Sequence, residues 1–83
     1  MTTNPRPEGF FGYTIYKNPS DAPGMYVLRG WSVENGETLF APAVATPISD
    51  AALAAMRKAM IEHGMICVGR QPEDDPVIVE SWI

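Results

Sequence analysis

One stretch of this chain can fold as an amphipathic helix, and the apolar segments around it read as strands. From Ala51 to His63 the sequence is rich in Ala, Leu, Met, Arg, Lys and Glu, all good helix formers. Leu53, Met56, Met60 and His63 recur at three- and four-residue spacing, with Ala52, Ala55 and Ala59 beside them. Arg57, Lys58 and Glu62 fall on the other side. Ser49 or Asp50 can accept from the orphan N–H groups of the first turn, and Gly64 suits a left-handed cap at the end. A lone helix has one apolar stripe and can cover one face of a sheet. The other face of any sheet built here must stay open or find another partner.

The strands follow from alternation and turn chemistry. Phe10 to Tyr16 is aromatic and β-branched, and Met25 to Val33 is a second apolar run. Between them lies a turn-rich stretch ending in Pro23-Gly24, which fits a type II turn. Asn35-Gly36 is the preferred dipeptide of a type I′ hairpin, so a short third strand is expected near Thr38 to Ala41. Ala41 to Pro47, with two prolines, reads as loop. Met65 to Gly69 and Val77 to Ile83 complete the set. The expected fold is α+β: an antiparallel sheet of four or five strands with one helix packed on one face. Residues 1–9 read as a flexible N-terminal tail, and residues 10–83 as a single domain.

Composition narrows the partners. The chain has 83 residues and a formal net charge of -4. The six bases are matched by six acids within residues 1–70, so Glu73, Asp74, Asp75 and Glu80 carry the whole excess. Nucleic acids and anionic membranes both select clustered Lys and Arg, so neither is an expected partner. A single cysteine, Cys67, permits no intrachain disulfide, and no stretch reaches the ~18 apolar residues of a membrane span. The N-terminal residues lack the apolar core of a signal peptide. The cytoplasm is the expected compartment.

The strongest constellation is a face of the sheet. Val27, Arg29, Trp31 and Val33 alternate onto one side of the second strand. In the last strand Ile78, Glu80 and Trp82 lie together, opposite Val77 and Val79. If Val77 and Val79 pack on the helix, Glu80 and Trp82 point away from it. Arg29 and Trp31 would join them, forming a partner-binding surface of two indoles and an ion pair. Trp and Arg are the residues most enriched at binding hot spots. The plainer alternative makes one tryptophan core and leaves Arg29 and Glu80 as a cross-strand pair of little energetic weight.

Other features are weaker. Arg70-Gln71-Pro72-Glu73-Asp74-Asp75-Pro76 is a stiff acidic loop, with Glu73, Asp74 and Asp75 as a candidate cation or basic-partner site. It reads more simply as a solvated turn in which an aspartate bonds its own backbone. Cys67 in an apolar run is expected to be buried and inert. One Cys and one His cannot build a zinc site, and no phosphate-binding or nucleophile-elbow pattern occurs. No cofactor or metal is implied, and a non-catalytic domain is favoured over an enzyme.

Two blocks carry a resemblance. Tyr16 to Trp31 reads Y-x-x-P-x-D-x-P-x-x-Y-V-x-R-x-W, and Arg70 to Ile83 reads R-x-P-x-D-D-P-x-I-V-E-x-W followed by isoleucine. They resemble a group of short bacterial proteins with no assigned activity. The resemblance implies a bacterial, cytoplasmic, stand-alone domain and transfers no site.

The functional expectation is a small protein-interaction domain, binding a protein partner or a second copy through Arg29, Trp31, Glu80 and Trp82. The alternatives are an enzyme or small-ligand binder using an edge cleft, with Cys67, His63 or the acids, and an acidic inhibitor presenting Glu73 to Asp75 to a basic surface.

Overall fold

A computed structural model describes residues 10–70 and 74–83, apart from the side chain of Phe10. The expected tail at 1–9, and Glu73 of the acidic loop, lie outside the described residues. Among the described residues five strands and one helix follow one another: β1 (Phe10–Lys17), β2 (Met25–Glu34), β3 (Glu37–Pro47), α1 (Asp50–Glu62), β4 (Cys67–Gly69) and β5 (Ile78–Trp82). The strands form one antiparallel sheet in the order β3-β2-β1-β5-β4. This is the α+β architecture expected from the sequence.

The turns form as their residues dictate. Glu34 pairs with Glu37, so Asn35-Gly36 closes a two-residue hairpin. Both central residues have positive φ, +53° and +79°, which a type I′ turn requires. Ser49 is the N-cap, and its hydroxyl accepts from Ala52 N–H at 3.0 Å. The helix closes in a Schellman motif around Gly64 at φ +76°. Met65 N–H donates to Met60 C=O at 3.0 Å, and Gly64 N–H to Ile61 C=O at 2.9 Å. The two methionines that this motif brings together both enter the core.

The core lies between α1 and one face of the sheet. Met56 and Met60 from the helix meet Ile15, Tyr26, Met65 and Trp82, with Tyr13, Leu28, Leu53 and Val79 packed around them. Ile15 is fully buried. His63 and Ala55, expected near the apolar stripe, are exposed instead. His63 is the C-cap residue, so its side chain has already left the stripe.

The third strand is much longer than expected. Ala41 to Pro47 continues β3 rather than forming a loop. A bulge accommodates it: Trp31 opposes Phe40 and Arg29 opposes Ala43, so Ala41 and Pro42 together face Gly30. β3 is an edge strand, where a proline without an N–H is tolerated at a bulge or a strand end. Pro42 takes the first position and Pro47 the second. At eleven residues β3 spans about 36 Å, whereas thirteen-residue α1 spans about 20 Å. The helix therefore cannot cover the whole sheet, and of β3 only Thr46 is even partly buried.

Candidate functional site

The structure separates the four residues that the sequence places on one face. Trp31 and Arg29 lie on the open side. Glu80 and Trp82 lie beneath α1, where both are buried. The cause is a second bulge. Ile15 pairs with Glu80, but Tyr16 pairs with Ile78, which leaves Val79 as an extra residue. Val79 faces the core and Ile78 faces away, as alternation requires. Past the extra residue the phase inverts, turning Glu80 and Trp82 inward.

Glu80 accordingly pairs with the helix, not with Arg29. Arg57 Nη2 donates to Glu80 Oε1 at 2.8 Å and Arg57 Nε to Oε2 at 3.0 Å. Trp82 Nε1–H donates to Oε2 at 2.9 Å. Burial pushes the Glu80 carboxyl up, but the bonds from Arg57 and Trp82, with the guanidinium charge, outweigh it and hold it below its ordinary range. The bond to Glu80 raises Arg57, against a smaller opposing effect of burial. Both shifts favour the charged pair. Arg57 was expected on the solvent side, and its side chain is 46% exposed even while it ties α1 to β5. No sequence signal short of the β5 register would have found this pair.

On the open face Trp31 lies across β1. Its partner in the register is Gly12. A Cβ placed on Gly12 would come within 2.5 Å of the Trp31 ring, so the missing side chain is what lets the indole lie flat. Trp31 Nε1–H donates to Thr14 Oγ1 at 3.1 Å, and that hydroxyl lies 3.1 Å from Ser81 Oγ. Thr14 is buried beneath the ring. The indole is thus fixed from below while remaining half-buried.

Beside it, the Arg29 guanidinium stands over the Phe40 ring at 5.8 Å, within cation–π range. Phe40 is 59% exposed. A groove of about 330 Å³ runs from this pair over Tyr16 and buried Val27 to a rim that includes Asp21 and Asp75. Among the described strand residues that alternate onto this face, Arg29 is the one that is charged.

The acidic loop is partly accounted for by its own backbone. Asp75 Oδ1 accepts from Val77 N–H at 3.1 Å, and Arg70 Nη2 donates to the Asp74 carbonyl at 3.2 Å. Among the described residues no group of three or more His, Cys, Asp or Glu could hold a metal ion. Cys67 is exposed on edge strand β4, not buried. Among the described residues no helix is long and apolar enough to cross a membrane.

No family model, curated protein or solved structure matches the chain.

Proposed function

We propose that this chain is a small non-catalytic protein-interaction domain that binds through the open face of its sheet. The supporting observation is the fixed indole of Trp31, outside the core and partly exposed, next to the Arg29–Phe40 pair. Trp, Arg and Tyr dominate binding hot spots. An indole held by Gly12 and Thr14 loses little further freedom when it is buried, and such preorganisation raises affinity. Glu80 and Trp82 drop out of the contact set because the fold uses both, and Tyr16 and Phe40 enter it. A small ligand is a second reading, favoured by the groove volume, which lies near the lower bound for ligand pockets.

Site-specific photo-crosslinking in the source cell tests the main reading. A photoreactive residue at Phe40 should give covalent protein adducts. The same residue at Lys58, on the exposed side of α1, should not. Adducts at neither position, or equally at both, would remove the open face as an interaction surface.

A further inference from the structure

We infer that the partner is a second copy of this chain, stacked open face to open face about a twofold axis, with each Arg29 set against Asp21 and Asp75 of the other copy. The inference rests on the interaction reading above and names its occupant.

Charge points to self-pairing. Arg29 stands on the face, and the two acids lie on the rim of the same groove. A twofold axis passing between them exchanges their positions, so each guanidinium meets the partner's carboxylates and the pairing occurs twice. One cation among neutral residues suits neither a phosphate backbone nor an anionic membrane.

Shape agrees. Five strands at about 4.8 Å, of eight, ten, eleven, three and five residues, give a face of on the order of 600 Å². Two such faces bury on the order of 1,200 Å², the low end for a specific complex. Small residues such as Ala43 and Ala45, beside the Trp31 ring, leave room for the partner's side chains in sheet-on-sheet stacking at the usual ~10 Å. The alternative, pairing β3 edge to edge, is opposed by Pro42, Pro47 and the bulge between them.

Sedimentation velocity from about 1 μM to 1 mM should show reversible dimerisation, with a dissociation constant of about micromolar order. Arg29→Glu and the double change Asp21→Lys with Asp75→Lys should each weaken it at least about tenfold through like-charge opposition. An equimolar mixture of the two should restore it, because both contacts are then opposite in sign. Lys58→Glu should change nothing. A second measurement needs no variant: the indole N–H resonance of Trp31 should shift with concentration while that of Trp82 stays fixed.

A wild-type monomer at 1 mM overturns the inference. So does a dimer indifferent to the reversals, or a mixture that fails to reassociate. If the wild type is a monomer and crosslinks from Phe40 carry the mass of a different protein, self-pairing falls and the interaction reading stands. If it is a monomer with no adducts, both fall.

Discussion

Replacing Arg57 by alanine should destabilise the domain at neutral pH and invert its response to acid. The variant removes two charge-assisted hydrogen bonds and leaves Glu80, 7% exposed, with the Trp82 N–H alone. Breaking a fully buried pair costs 3–5 kcal/mol, and an exposed pair contributes about 0–1 kcal/mol. Arg57 is about half exposed, so the loss should fall between these limits, at about 2 kcal/mol. In urea, with a slope of about 1 kcal/mol/M for a chain this short, the midpoint at pH 7 should drop by about 2 M. The pH dependence carries more information. In the wild type Glu80 is held below its ordinary value of 4.5, so the pair's contribution is complete above that pH. It is lost as pH falls through the lower folded value. Without Arg57, burial dominates and Glu80 is raised instead. Protonation then favours the folded variant, and the stability gap should close on acidification. The reasoning fails if the gap at pH 7 is under ~0.5 kcal/mol, or if the two proteins lose stability in parallel below pH 5.

Gly12→Ala should cost about 1–3 kcal/mol by thermal unfolding, because the added Cβ would sit 2.5 Å from the Trp31 ring and 2.6 Å from the Trp82 carbonyl oxygen. The ring can swing away but the carbonyl cannot, so Trp31→Ala should not fully rescue it; complete rescue would contradict the assigned contact. Deleting Val79 should leave unfolding cooperative as seen by near-ultraviolet circular dichroism, because Ile78, Glu80, Ser81 and Trp82 then form a regular strand that keeps the partners Tyr16, Ile15, Thr14 and Tyr13. The cost is then that of one partly buried valine packed against the core, about 1–3 kcal/mol. Loss of the cooperative transition in the deletion variant would refute the assigned bulge.

The helix, its caps and the hairpin turn were legible because each rests on local chemistry. Ser49, Gly64 and Asn35-Gly36 act through backbone conformations that depend little on the rest of the chain. The second strand was legible too, since alternation runs unbroken from Val27 to Trp31. What escaped was set at long range. Pro42 and Pro47 look like loop residues until β3 is known to be an edge, and the sheet order decides that. Cys67 in an apolar run looks buried until β4 is known to be the opposite edge. Arg57 looks solvated until Glu80 is known to point inward. Each error traces to strand order or register, which depend on pairing partners distant in sequence.

The contrast between the two tryptophans follows from what each faces. Trp82 pairs with Tyr13 beneath α1, among Met56 and Met60, and its N–H is taken by a buried carboxylate. Trp31 pairs with Gly12 on the side that the helix cannot reach, and its N–H is taken by Thr14. The fold satisfies the polar atom of both rings, but it buries only Trp82 and leaves part of Trp31 at the surface. Apolar surface left in water forgoes about 25 cal/mol for each Å². An indole whose hydrogen bond is met and whose ring is only partly buried is already organised for a partner, and that is the state in which β1 and β2 hold Trp31.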